Sequence, residues 1–193
     1  IDPEYMPQVI EGIKEAFASD SPADNAKNLA RQKAKERAEF HPDAIIIGCD
    51  TIVACGEEIF GKPKDEIDAA IMLKKLSAKD HYVYTGVCIL DGRQEISFVE
   101  ATKVKFRRLT DEEIFNYVKS GEPMDKAGAY GIQGKAAIFI SGIEGDYYSV
   151  VGLPVCRLTE ELTLSNISIE CFFAPEAFCD EAGADIVDKI KQK

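Results

Sequence analysis

The chain is short of basic residues: 23 Lys and Arg stand against 34 Asp and Glu over 193 residues, a formal net charge of −11. A nucleic-acid backbone needs a basic face, so binding to a nucleic-acid polymer is not expected. A small phosphorylated ligand is still allowed, because a few lysines and a divalent cation can reverse the field inside a cleft. No apolar run approaches the ~20 residues of a membrane span, so no membrane partner is expected. The opening I-D-P-E-Y has no secretory signature. Six cysteines stand at positions 49, 55, 88, 156, 171 and 179, none of them in a C-x-x-C pair, and the only histidines are His41 and His81. That set does not suit the ligand spacing of a zinc site. Cys49 and Cys88 fall inside apolar runs and read as small core residues. Unpaired cysteine usage of this kind points to a reducing, cytoplasmic compartment. The P-loop pattern G-x-x-x-x-G-K-[ST] is absent, as are internal repeats and low-complexity linkers. What remains, 46% hydrophobic and 30% charged residues, fits one soluble globular domain with an appendage.

Local chemistry then sets the element order. Ser21 as N-cap and Pro22 at the first turn predict a helix reaching about residue 39, ended by His41-Pro42. Its apolar stripe is Ala26, Leu29, Ala30, Ala34 and Ala38. The run I-I-I-G-C-D-T-I-V-A predicts a strand over 43–54, buried on both faces. Gly56 turns the chain into a short strand at 58–60. A helix follows over 64–78, with Ile67, Ala70, Ile71, Met72 and Leu73 on its apolar side. Asp91-Gly92 predicts a hairpin between strands 81–91 and 94–106. The capping box T-D-E-E at 110–113 opens a helix to about 119. Strands are expected near 136–141 and 147–150, and a last helix from Pro154 to about 162. The class is α/β, with a mixed twisted sheet, a long antiparallel hairpin and flanking helices. Residues 1–163 form the expected domain, and 164–193 a tail without an assigned role.

Several residues carry chemistry, each with a plainer reading beside it. Asp50 is a lone carboxylate in an apolar strand, which is costly if fully buried. It either caps a turn where the strand leaves the core, or serves as a metal ligand or general base at a sheet edge. Thr51 adds a hydroxyl. Lys33 falls on the apolar stripe of its helix rather than the solvent face; it either snorkels along the core edge or reaches a ligand. Lys62 is held between Gly61 and Pro63, as a point charge for phosphate or as an ordinary loop lysine. The stretch M-D-K-A-G-A-Y-G-I-Q-G at 124–134 is a glycine-rich loop. Its Gln133 amide can both donate and accept. Asp125 and Lys126 read first as an ion pair holding the loop, and Tyr130 as packing. Arg107-Arg108 reads as solvated charge. Glu15 alone would read as a solvated residue.

These pieces lie in the order seen in the Maf family of nucleoside triphosphate pyrophosphatases, which the chain resembles. The motifs are L-A-R-Q-K-A at 29–34, G-C-D-T-I-V at 48–53, G-K-P at 61–63, L-S-A-K-D-H-Y-V-Y-T-G-V at 76–87, E-P-M-D-K-A-G-A-Y-G-I-Q-G at 122–134 and V-V-G-L-P at 150–154. The resemblance covers about 9–162. It implies the inosine-triphosphatase-like fold and hydrolysis of a nucleoside triphosphate to the monophosphate and pyrophosphate with Mg²⁺ or Mn²⁺. The form of the glycine-rich motif is similar to the subgroup acting on dTTP, UTP and modified pyrimidine nucleotides. Under the resemblance, Asp50 is the catalytic acid, Thr51 and Gln133 are specificity positions, and Lys33 and Lys62 bind phosphate. Glu15 is the second member of an acidic pair whose first member is Lys14 here, so Glu15 and Asp50 are the implied metal ligands. Homodimerisation is left open. The family's opening S-x-S-P-R-R motif does not occur in this sequence. Either the sequence is truncated before this motif or the arm is lost, and its loss would weaken transition-state stabilisation, on the ~3 kcal/mol scale of one preorganised donor. A second expectation is therefore a catalytically weak nucleotide-binding regulator, linked to septum formation and cell division.

Overall fold

Ser21 and Pro22 start the first helix as their chemistry requires. In a computed structural model that describes residues 21–41, 43–92 and 94–168, helix α1 spans Pro22–Ala38, and the Ser21 hydroxyl accepts from the Asp24 amide at 3.2 Å. Strand β1 (Ile46–Cys55) follows, then β2 (Glu58–Phe60), helix α2 (Glu66–Leu76), and the long strands β3 (Asp80–Leu90) and β4 (Glu95–Phe106). Helix α3 is Asp111–Lys119, opened by the expected capping box: the Glu113 amide donates to Thr110 Oγ1 at 3.2 Å and the Thr110 amide to Glu113 Oε2 at 2.8 Å. The glycine-rich segment forms three short 3₁₀ turns, Glu122–Asp125, Ala127–Ala129 and Lys135–Phe139. Strand β5 (Ile140–Glu144) and helix α4 (Tyr147–Val151) complete this part of the chain. The chain divides into two compact units, 1–154 and 155–193. The second unit begins with α5 (Val155–Leu164). No helix among the described residues is long and apolar enough to cross a membrane.

The five strands form one sheet in the order β2-β1-β3-β4-β5. The α/β class, the long hairpin and the flanking helices are as expected. All four strand pairings among the described residues are antiparallel. The hairpin holds its register from Asp80 opposite Lys105 to Leu90 opposite Glu95, and Asp91 Oδ1 accepts from the Gln94 amide at 2.8 Å in the turn.

Three details differ from the sequence-based expectation. The segment 147–150 is helical, not extended: Asp146 caps it by accepting from the Tyr148 amide at 2.7 Å, and Ser149 is buried against Thr102. Tertiary hydrogen bonding there overrides the β-preference of Tyr-Tyr-Ser-Val. The 136–141 segment is mostly a 3₁₀ turn, with the strand beginning at Ile140. Helix α2 buries Ala69, Leu73 and Leu76 at helical spacing, while Ile67 and Ile71 remain exposed at 73% and 47%. They line a groove with Phe115 of α3.

Helix α1 lies directly on β1 and β3. A Cβ placed on Gly48 would sit 2.3 Å from the Ala30 carbonyl oxygen, and one on Gly86 would sit 2.2 Å from that of Ala26. Ala26, Ala30 and Ala34, spaced by four residues, are fully buried at this contact. The two glycines and three alanines therefore let backbone meet backbone. Lys33 flanks this stripe rather than lying on it, and is exposed.

Gly86→Ala should force α1 off the sheet, because the clashing atom is backbone. The expected loss is roughly 3 kcal/mol, at the upper end of overpacking costs, read from the urea-unfolding midpoint at an unchanged m-value. A variant as stable as the parent would mean that α1 does not rest on this glycine.

Candidate active site

The seating of α1 aims Lys33 at β1. Its ammonium donates to Asp50 Oδ1 in a short ion pair and lies 3.4 Å from the Cys49 carbonyl oxygen. The Asp50 side chain is 18% exposed and that of Lys33 56%. Asp50 is thus neither sealed in the core nor fully in water, and the lysine places its charge at the cleft mouth. Asp50 and Thr51 are neighbours on one strand and alternate across the sheet. Asp50 therefore faces α1, and Thr51 faces the other side, where it meets Thr85 of β3 at 2.9 Å between hydroxyl oxygens.

A cleft of about 550 Å³ runs past this part of β1, within the ~300–1,000 Å³ typical of small-molecule sites. Lys33, Asp50, Thr51, Lys62 and Gln133 all line it. Glu15 lies outside the described residues. Cys49 and Glu122 also line the cleft. Burial pushes the Cys49 thiol up to about 11, against the opposing charge of Lys33, so this sulfur stays protonated and unreactive at neutral pH. Neither residue stood out in the sequence as part of a site. Cys49 read as core, and Glu122 was one letter of a quoted motif with no spacing signal of its own.

The far wall is a loop held at several points. The Gly128 amide donates to the Gly61 carbonyl at 3.0 Å, tying the glycine-rich segment to the G-K-P turn. Gly128 has φ of +69° and packs on Val53, a conformation and a closeness that favour glycine. Pro63 is buried while Lys62 is exposed beside it, so the turn is anchored and its charge is free to face a ligand. Glu122 accepts from the Tyr117 hydroxyl at 3.1 Å and the Lys135 amide at 3.1 Å. A Cβ on Gly134 would sit 2.1 Å from Glu122 Oε1, so a side chain there would displace the Glu122 carboxylate from these bonds. Asp125 pairs with Lys126 at 2.7 Å, which holds its carboxyl below the usual range. Tyr130 is buried, stacks edge-on with Phe106, and its hydroxyl lies 2.8 Å from His81 Nε2. Its role is packing, as its neighbours in sequence suggest. Arg107 is not simple solvated charge: it forms a two-pronged pair with Glu113 at 2.7 and 3.1 Å and donates to the Ile138 carbonyl at 2.8 Å.

The donor set favours a hard cation. Of the three described carboxylates in the cleft, Glu122 is bonded within the loop and Asp125 to the neighbouring Lys126, while Asp50 meets Lys33 through Oδ1. The described residues hold no cluster of three or more His, Cys, Asp or Glu at metal-binding spacing. Mg²⁺ does not need one, since it is commonly held by one or two carboxylates together with substrate phosphates and water. The site therefore fits a Mg²⁺- or Mn²⁺-bound phosphate better than a preformed all-protein metal cage.

The family model described as "Maf-like protein" matches residues 1–165. The chain is 52% identical over 155 residues to a dTTP/UTP pyrophosphatase of Bacillus cytotoxicus, covering 80% of this chain and 81% of that one. It is 49% identical over 162 residues to a dTTP/UTP pyrophosphatase of Bacillus cereus, covering 83% and 85%. A dTTP/UTP pyrophosphatase of a Geobacillus species is 54% identical over 142 residues, covering 74% and 76%.

His81 yields a pH test of the loop's support. Burial lowers its pKa from 6.5 to about 4, against the opposing field of Asp80. Between those values the unfolded chain binds a proton that the folded chain refuses. Stability from this residue is therefore complete above pH 6.5 and falls as the pH drops toward 4, by on the order of 3 kcal/mol. Urea midpoints measured across this window should show the fall in the parent, and His81→Gln should lack this component. Identical pH profiles would mean that His81 is not held neutral.

Proposed function

The chain belongs to the Maf family, and on that premise we propose that it hydrolyses dTTP and UTP to the monophosphate and pyrophosphate. The observation that carries the reading is the meeting of two lysines, the Asp50 carboxylate that one of them orients, and one amide on a single cleft, in a chain of net charge −11. Two lysines brought to one cleft in so acidic a protein have a natural use in holding a triphosphate. The relatives, whose names are those of enzymes acting on dTTP and UTP, support the same substrates. They lend no support to the regulatory alternative. The activity is assigned to residues 1–163, leaving 164–193 as an appendage.

Lys33 and Lys62, on opposite sides of the cleft, bind the triphosphate. Lys33 also orients the Asp50 carboxylate through their ion pair. Water attacks the α-phosphorus, Asp50 takes its proton, and the bond from the α-phosphorus to the bridging oxygen breaks to release pyrophosphate. Gln133 positions the attacking water or the base through its amide. Glu15 and Asp50 would hold Mg²⁺ or Mn²⁺, which supplies neutralisation of charge on the phosphates when bound. The glycine-rich loop keeps Gln133 and Lys62 at fixed separation through its bond to Gly61.

With UTP or dTTP and Mg²⁺ or Mn²⁺, pyrophosphate should be released, and chelation of the metal should abolish the release. Asp50→Asn keeps the shape and removes the charge. Its rate should fall by roughly two to four orders of magnitude, the range for a lost general base, with circular dichroism and melting unchanged. A variant of full rate would rule Asp50 out as base and metal ligand alike.

A further inference from the structure

Thr51 and Thr85 face each other across β1 and β3, and the direction of the hydrogen bond between them is set by what lies behind Thr85. Their hydroxyl oxygens are 2.9 Å apart, which alone leaves the donor open. Thr85 is fully buried, and its hydroxyl donates to the Ser149 carbonyl oxygen at 2.6 Å. A carbonyl only accepts, and a hydroxyl carries one proton. The Thr85 proton is therefore committed to Ser149, and Thr85 can only accept from Thr51.

The carbonyl that fixes this direction is itself fixed. It also accepts from the Gly152 amide at 3.1 Å, at the end of α4. The Ser149 hydroxyl is buried between Thr102 Oγ1 at 2.7 Å and the Asp146 carbonyl at 2.8 Å. Thr102 in turn accepts from the Asp146 amide at 3.0 Å. Four hydroxyls thus run from the cleft wall into a buried, fully bonded network. At the cleft end, Thr51 lines the wall beside Gly152. Its single proton points inward to Thr85, so only oxygen lone pairs face the cleft.

We propose that this relay makes Thr51 an obligate acceptor, and that the acceptor selects substrates by the imide N–H of the base. Uracil and thymine carry a proton at ring N3; cytosine carries a lone pair there. Two acceptors facing each other both stay unpaired, and a site built around a hydrogen bond rejects the analogue that lacks it. The proposal rests on the pyrophosphatase reading above and deepens it. Thr85 becomes a positioning residue for base choice: it is buried behind Thr51 and acts only through that hydroxyl.

The test compares kcat/KM for UTP, CTP and 3-methyl-UTP in the parent chain, Thr85→Ser and Thr85→Val, each with Mg²⁺. The parent should prefer UTP over both other nucleotides by at least roughly tenfold, the cost of one unsatisfied polar group. Thr85→Ser retains the acceptor and should retain the preference. Thr85→Val frees the Thr51 proton to turn outward, so the UTP-to-CTP ratio should fall about tenfold, with CTP gaining. A destabilised scaffold would slow both nucleotides alike and leave that ratio unmoved. If Thr85→Val does not fold by circular dichroism, the parent's treatment of UTP against CTP and 3-methyl-UTP decides, and equal rates overturn the proposal. A parent that hydrolyses UTP selectively, with the ratio unchanged in a folded Thr85→Val, overturns the proposal and leaves the pyrophosphatase reading standing. A parent that releases pyrophosphate from no nucleotide overturns that reading, and the proposal with it.

Discussion

Helix α1 can lie on the sheet only because positions 48 and 86 carry no side chain. Both glycines would place a Cβ within 2.3 Å of helix backbone oxygen, far inside van der Waals contact. The helix answers with Ala26, Ala30 and Ala34, one small residue per turn. This close approach sets the height of Lys33 above β1 and so its ion pair with Asp50. A helix held an extra few ångströms off by larger side chains would carry the lysine away from the carboxylate. The site's first charge pair thus depends on backbone packing that carries no charge.

The opposite wall is built by hydrogen bonds rather than by packing. Glu122 gathers the Tyr117 hydroxyl and the Lys135 amide, Gly128 bonds to Gly61, and His81 meets the Tyr130 hydroxyl. The Glu122–Lys135 bond closes the glycine-rich segment on itself, and the other contacts link it to different elements. The loop has little regular structure to hold it, so these anchors keep the segment that carries Gln133 against the turn that carries Lys62. A carboxylate and an aromatic hydroxyl, both partly withdrawn from water, make such anchors worth more than surface contacts.

Much of this was legible in the sequence. Capping chemistry located α1 and α3, because Ser21-Pro22 and Thr110 to Glu113 act locally. The Asp91-Gly92 turn located the hairpin for the same reason. Lys33, Asp50, Thr51, Lys62 and Gln133 stood out by residue type and motif, and all five line the cleft. What the sequence hid was decided at a distance. The helical form of 147–151 depends on Ser149 bonding to Thr102, 47 residues away in the chain. The choice of Ala69, Leu73 and Leu76 over Ile67 and Ile71 as the buried face of α2 depends on which neighbours surround it, since both stripes have helical spacing. Glu122 and Thr85 gave no sign of their roles, because each acts by bonding to a partner that the fold alone brings near.

In the proposed complex one triphosphate spans Lys33, Asp50 and Lys62 with its base toward Thr51. The most direct measurement is a crystal structure with Mg²⁺ and α,β-methylene-UTP, whose carbon bridge resists the cleavage proposed. Phosphate oxygens should lie at both lysines, Asp50 beside the α-phosphorus, and ring N3 should donate to Thr51. Nucleotide bound elsewhere, for instance in the groove lined by Ile67, Ile71 and Phe115, with the cleft empty, would contradict it.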